Sequence, residues 1–239
     1  MAKPTTQEML EAGVHFGHLR RKWNPKMAPY IFTEKNGIHL IDLNRTSEGL
    51  ERAANAMRQI ARAGKKILFV ATKKQARDII TAAAKETNMP YVTDRWQGGM
   101  LSNFNTIRRS IRKMQNIERM LGDGTLDSVT KKERLTLTRE HEKMNKVLGG
   151  IADMNRIPNA IFVVDIMHEH LAVAEAKKLN MRTFGIVDTN ADPTSVDYPI
   201  VGNDDASKSV KVLIDYLTES IKEGLAERGE EQEAKASAQ

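Results

Sequence analysis

Two sets of side chains in this sequence could do chemistry, and they carry opposite charge. The first is acidic: Asp165, Asp188, Asp192, Asp204 and Asp205, each at or just past a short apolar run where a strand would end. Carboxylates converging there could hold a hard divalent cation through oxygen. His18 would join them if the N-terminal loop folds over that edge, so His18, Asp188, Asp204 and Asp205 are the candidate metal ligands. The simpler reading is that Asp192, Asp204 and Asp205 cap helices and turns. The run from Asp165 to His168-Glu169-His170 looks like an acid–base cluster. Its two histidines stand two apart at a helix start, however, and do not share a face; capping and surface roles suit this run better.

The second set is basic. Arg20-Arg21-Lys22-Trp23-Asn24-Pro25-Lys26 forms a cationic loop stiffened by Pro25 and Pro29. Trp23 would either stack on a base or pin that loop. Lys73, Lys74 and Arg77 cluster at a helix start, where they add to the positive end of the helix dipole. A phosphate would relieve that conflict and use the free N–H groups. Arg95-Trp96-Gln97-Gly98-Gly99 leads into Arg108, Arg109, Arg112 and Lys113, with Lys131, Lys132 and Arg134 farther on. Arg108 and Arg112, like Arg109 and Lys113, are one helical turn apart. Such like-charged pairs each destabilise an isolated helix by about 0.3 kcal/mol, and a polyanion would offset it.

Composition favours that second chemistry. The 239 residues hold 37 Lys and Arg against 31 Asp and Glu, a net charge of +6. Residues 1–150 carry 28 cations and 15 anions, whereas residues 151–239 carry 9 and 16. This asymmetry points to a polyanionic partner for the basic part. Aromatics make up only 5%, too few for a general binder that stacks single-stranded bases, so folded RNA or a duplex backbone fits better. The absence of cysteine excludes a disulfide scaffold, a thiolate zinc site and a Cys nucleophile.

Neither a phosphate-loop pattern nor a Gly-x-Gly-x-x-Gly after a strand is present. After the apolar run at Ile67 the chain reads Ala71-Thr72-Lys73-Lys74-Gln75-Ala76, with no glycine to admit a pyrophosphate. A nucleotide- or metal-dependent α/β enzyme at the acidic edge is the alternative reading, and a protein-interaction scaffold is a third. The N-terminus lacks an apolar leader, and no apolar run approaches the ~20 residues of a membrane span. The expectation is a soluble, cytoplasmic protein with no membrane partner.

The elements that position these residues alternate. A capping box at Thr5–Glu8 opens a short helix closed by Gly13, followed by a loop over 14–29. Strands are expected at 38–43, 66–71, 91–93, 160–165, 182–188 and 198–201, and helices at 47–63, 73–87, 168–180 and 206–225, with Asp204 or Asp205 as N-cap of the last. Unalternating apolar strands separated by helices imply a doubly wound parallel α/β sheet. Between them, apolar residues from Phe104 to Leu121 and from Leu137 to Ile151 recur every three or four positions around a turn at Gly122-Asp123-Gly124, a heptad-like pattern. The expected organisation is an α/β domain from residues 1–102 and 151–225, an antiparallel coiled-coil hairpin over 103–150, and an acidic, disordered tail over 226–239. His141 lies on the hairpin seam and reads as a packed imidazole.

The chain resembles the bacterial small-subunit ribosomal protein two family. The resemblance rests on Ala12-Gly13-Val14-His15-Phe16-Gly17-His18, Trp23-Asn24-Pro25-Lys26-Met27, Ile38-His39-Leu40-Ile41-Asp42-Leu43, Arg95-Trp96-Gln97-Gly98-Gly99-Met100-Leu101, Ile186-Val187-Asp188-Thr189-Asn190-Ala191-Asp192-Pro193 and Gly202-Asn203-Asp204-Asp205-Ala206. These runs occur in order over about residues 5–217. The resemblance implies a flavodoxin-like sheet with a protruding coiled-coil hairpin, and a structural rather than enzymatic role that needs no cofactor. Such proteins dock between head and body on the solvent side of the small subunit. They contact small-subunit rRNA rather than DNA, touch neighbouring ribosomal proteins, and help anchor the large mRNA-binding protein. Two residues depart from the family pattern: Gln97 stands where an apolar residue is usual, and Arg182 where Pro or Ala is.

Overall fold

The computed structural model of the chain describes residues 3–123 and 130–236, with the side chains of the last helix as far as Gln232. Helix α1 (Thr6–Glu11) starts at the Thr5–Glu8 capping box. The segment expected as a plain loop then forms strand β1 (Phe16–Leu19) and two 3₁₀ turns, Arg20–Lys22 and Pro25–Tyr30. β1 and β2 (Ile31–Lys35) flank β3 (Ile38–Ile41) in a small antiparallel sheet. The expected first strand is thus the middle strand of this sheet, not part of the main one. Both outer strands are short and interrupted by register shifts, which erases the alternation that would reveal them.

α2 (Leu43–Arg62) is capped by Asp42, whose carboxylate accepts the Asn44 N–H at 2.9 Å. Its apolar stripe of Leu50, Ala53, Ala54, Met57, Ile60 and Ala61 is buried throughout. β4 (Ile67–Val70), α3 (Lys74–Glu86) and β5 (Tyr91–Val92) follow, then α4 (Phe104–Gly122) and α5 (Lys131–Leu148). β6 (Ala160–Val164), α6 (His170–Lys178), β7 (Arg182–Val187), β8 (Tyr198–Val201) and α7 (Ser207–Ala236) complete the fold.

β4 to β8 make one parallel sheet in the order β5-β4-β6-β7-β8. Counted from its own first strand this is 2-1-3-4-5, the flavodoxin-like winding. Ile67 and Phe69 pack into the layer of α2, α3 and α7; Leu68 and Val70 pack against α6 and the base of α4. Cover on both faces is why these strands read as continuous apolar runs.

α4 and α5 lie side by side. Phe104 at the start of α4 and Leu148 at the end of α5 share one buried cluster, and Lys113 pairs with Glu140 between them. Ile107, Ile111, Met114 and Ile117 of α4 are buried, whereas Leu137, His141 and Met144 of α5 are only half-buried. The expected turn runs from Gly122 and Asp123 into Gly124, which lies outside the described residues.

The last helix corrects two expectations. Neither Asp204 nor Asp205 caps it: the Asn203 side-chain oxygen accepts the N–H groups of Asp205 (2.9 Å) and Ala206 (3.2 Å). α7 also continues past Leu225 as far as Ala236, through most of the tail expected to be disordered. Arg58 of α2 pairs with Glu223 at 3.4 Å and with Glu227, and Arg62 with Glu231. The acidic residues of the expected tail are answered by cations 169 residues earlier in the chain. Residues 237–239 lie outside the described residues.

Candidate nucleic-acid interface

In an open α/β sheet of this winding, the ligand crevice lies at the carboxyl ends of the strands where the winding reverses, here between β4 and β6. Thr72 and Lys73 follow β4; Asp165 and Glu169 follow β6. The chain fills the crevice itself. The Glu169 carboxylate accepts the Thr72 N–H at 2.9 Å and its hydroxyl as well. The Lys73 ammonium lies 2.7 Å from Asp165, 2.8 Å from Asp204 and 2.8 Å from Asp205. Asp165 takes a left-handed backbone conformation (φ 62°), so that one of its oxygens accepts the N–H groups of Met167 and His168 while the other meets Lys73. Asp tolerates that conformation better than most residues.

His18 does fold over this edge. Its Nδ1 lies 2.9 Å from Asp188 and its Nε2 3.5 Å from Asp205, while its backbone N–H donates to the Thr189 hydroxyl at 2.8 Å. Burial, with help from Asp165 and Asp188, pushes the Asp204 carboxyl up to about 7, against the pull of Lys73. The hydrogen bond to Asp188 raises His18 above its ordinary value, against burial. Burial alone would lower Lys73, but its bonds to the three carboxylates prevail and hold it charged above the usual lysine range.

This geometry revises two expectations. Lys73 is not held out towards an external phosphate, because three carboxylates enclose its ammonium and its side chain is only 17% exposed. Nor do His18, Asp188, Asp204 and Asp205 form a cation site: among the described residues no group of three or more His, Asp or Glu side chains is arranged to hold a metal. Lys73 answers Asp204 and Asp205 as it does Asp165, and His18 answers Asp188.

The Gly-Gly turn before α4 is filled in the same way. Glu175 of α6 accepts the N–H groups of Gly99 (2.7 Å), Leu101 (3.0 Å) and Ser102 (3.0 Å), the Trp96 indole N–H (3.2 Å) and the Ser102 hydroxyl (3.1 Å). Gly99 sits at φ 89°, a conformation that costs glycine little. Burial works against the Glu175 charge, but the donors outweigh it and hold the carboxyl below its usual range. A cradle of N–H groups that could bind a phosphate thus binds an internal carboxylate and fixes the root of α4. Gln97 points outward and leaves this packing to the buried Trp96; Arg182 is exposed at the start of β7. Nothing in the sequence pattern ties Glu169 or Glu175 to partners more than 70 residues away.

The remaining basic residues face outward in two groups. In the N-terminal loop Arg21 and Lys22 are exposed, Arg20 reaches Glu34 at 3.3 Å, and Lys26 meets Asp192 at 2.6 Å. Lys26 and the Thr194 hydroxyl hold Asp192 down at about 2. The Trp23 ring lies 5.1 Å from that of the buried His39. Lys74 and Arg95 are exposed and make no ion pair among the described residues. The second group lies on α4. At 100° per residue, Arg108, Arg109, Arg112 and Lys113 fall within an arc of about 140°, opposite the buried Ile107–Ile117 stripe. Arg109, Arg112 and Lys113 are exposed and Arg108 is half-buried. Only Lys113, through Glu140, has an ion-pair partner among them within the described residues. Arg119, which sequence reasoning passed over, extends the same face; its spacing of seven from Arg112 was the available signal.

A basic helix face on which, among the described residues, only Lys113 meets a carboxylate thus stands on a flavodoxin-like body whose ligand crevice is closed. The family model described as ribosomal protein S2 matches residues 9–224. The chain belongs to the ribosomal protein S2 family. It is 59% identical over 227 residues to small ribosomal subunit protein uS2 of Cytophaga hutchinsonii, covering 95% of this chain and 89% of that one. Against the uS2 proteins of Flavobacterium johnsoniae and Parabacteroides distasonis it is 55% and 54% identical, covering 98% and 95% of this chain and 92% and 82% of theirs. As an S2 family member the chain is a structural protein of the small ribosomal subunit and not an enzyme, and its place is the bacterial cytoplasm. The flavodoxin-like sheet agrees with that membership. No described helix is long and apolar enough to cross a membrane.

Proposed function

We propose that the chain grips folded small-subunit rRNA, with the α4 face as principal contact and the loop from Arg20 to Lys26, Lys74 and Arg95 as further contacts. The α4 face carries this reading: four cations share one arc opposite the buried stripe, and three of them have no ion-pair partner among the described residues. Neutralising phosphates at several fixed points sets register and orientation, while the shape of the RNA, not base reading, supplies selectivity. No bond is made or broken.

In the same reading the chain sits between head and body on the solvent side and helps hold the large mRNA-binding protein. Residues 151–239, with 9 cations against 16 anions, are repelled by phosphate and turn towards protein neighbours. A cross-link map of the assembled subunit tests this. Cross-links to rRNA are expected from residues 108–113 and 20–26. Cross-links confined to other surfaces would contradict it.

A further inference from the structure

A cleft of about 840 Å³ opens at the amino ends of the sheet strands, away from the Lys73 cluster. It lies between the start of β4, the end of α3 and the segment after α5. Its lining is mixed: Met89, Pro90, Tyr91, Met154 and Pro158 stand among seven polar or charged residues, and Ile157 is left 40% exposed. Asn88, Asn155 and Asn159 also line it, each with a side-chain amide that offers a donor and an acceptor. Lys66, Lys85 and Arg156 stand on its rim against a single carboxylate, Asp153. Lys66 is held by the Asn88 carbonyl, whereas Lys85 and Arg156 make no ion pair among the described residues.

The combination restricts the occupant. A bare phosphate has no use for the apolar part of this lining. An added peptide strand has no ladder to join, although β5 is an edge strand. Gly149–Ile151 covers that edge, and a Cβ on Gly150 would lie 2.2 Å from the Tyr91 carbonyl oxygen. An unstacked nucleotide uses every component: the half-buried Tyr91 ring and the exposed Ile157 for the base, amides for its edge, and cations for the phosphates on either side. We infer that the cleft receives one extruded nucleotide of the bound rRNA. This rests on the RNA-binding reading above and assigns it a second, shape-selective contact.

The test uses the full-length chain and a small-subunit rRNA transcript. The variants are Lys85→Ala with Arg156→Ala, Asn155→Ala with Asn159→Ala, and the α4 set Arg108→Ala, Arg109→Ala, Arg112→Ala and Lys113→Ala. The four substituted cleft residues are exposed, so circular dichroism and melting temperature of the cleft variants should match the parent chain. Each cleft pair is expected to weaken RNA binding about tenfold. The Lys85/Arg156 pair should also flatten the slope of log affinity against log salt by about 0.7 for each lost phosphate contact. Adenosine or uridine 5′-monophosphate should shift the NMR amide signals of Asn88, Tyr91 and Asn155 in the parent chain only. If the α4 set weakens binding and the cleft pairs do not, the cleft assignment falls and the RNA reading stands. If neither weakens it, both fall. Cleft variants that bind the transcript normally but fail to enter the subunit would overturn the nucleotide in favour of a protein neighbour.

Discussion

The Glu175 carboxylate accepts the Gly99 N–H at 2.7 Å, joining α6 to the turn from which α4 departs. With two further backbone N–H groups, an indole and a hydroxyl on the same carboxylate, one side chain sets the angle of the basic helix to the body. Glu175→Gln keeps the shape but turns donors against donors. Since bonds to a charged acceptor contribute about 1.5–3 kcal/mol each and partial rescue is expected, we predict a loss of about 2 kcal/mol. Urea denaturation measures it, and hydrogen exchange should accelerate first at Gly99, Leu101 and Ser102.

Neighbouring lysines at the start of α3 should behave oppositely. Lys73→Met leaves Asp165 and Asp204, both buried, without their counter-charge. Removing one partner of such a cluster is expected to cost about 3 kcal/mol of stability. Lys74→Ala removes an exposed cation and should change stability by less than about 0.5 kcal/mol, while weakening RNA binding. Equilibrium unfolding and a binding titration on both variants separate the two roles.

Stability should fall as pH rises through neutrality. Asp204 is raised from 3.8 to about 7 in the folded chain, so its favourable contribution is whole below 3.8 and is lost as pH climbs to about 7. His18 is raised above 6.5, so its contribution is whole below that value and disappears as pH passes the folded one. Both push the same way between pH 6 and 8. Melting temperature should decline over that interval, and less steeply in His18→Ala; an unchanged slope in the variant would show that the His18–Asp188 pair carries no linkage.

The end of α7 depends on α2. Arg58→Ala with Arg62→Ala should leave global stability nearly unchanged, because the ion pairs to Glu227 and Glu231 are largely exposed. The same pair of changes should open the helix beyond Leu225 to limited proteolysis well before the rest of the chain.

Much of this organisation was legible in the residue order, for physical reasons that also mark where legibility stops. Ile67–Val70 and Ala160–Val164 are covered on both faces, so each announced itself as an unbroken apolar run. The α4 seam showed in the spacing of Ile107, Ile111 and Met114. Phe16–Leu19 escaped, because a four-residue edge strand with a register shift has no period to detect. The helical tail escaped because Glu227 and Glu231 are stabilised by Arg58 and Arg62, partners that local composition does not reveal. Lys73 was assigned outward for the same reason: its carboxylates stand 92 to 132 residues away along the chain. Local pattern finds elements and surface charge; it does not find which charges the fold turns inward.

The most direct test of the RNA-binding account is the salt dependence of rRNA binding, compared between the parent chain and the chain lacking Arg108, Arg109, Arg112 and Lys113. If these side chains neutralise phosphates, the log–log slope of the variant should be shallower by about 0.7–0.9 for each contact removed, roughly three units in all, with the fold unchanged. Parallel lines of equal affinity would mean that the basic face of α4 meets no RNA.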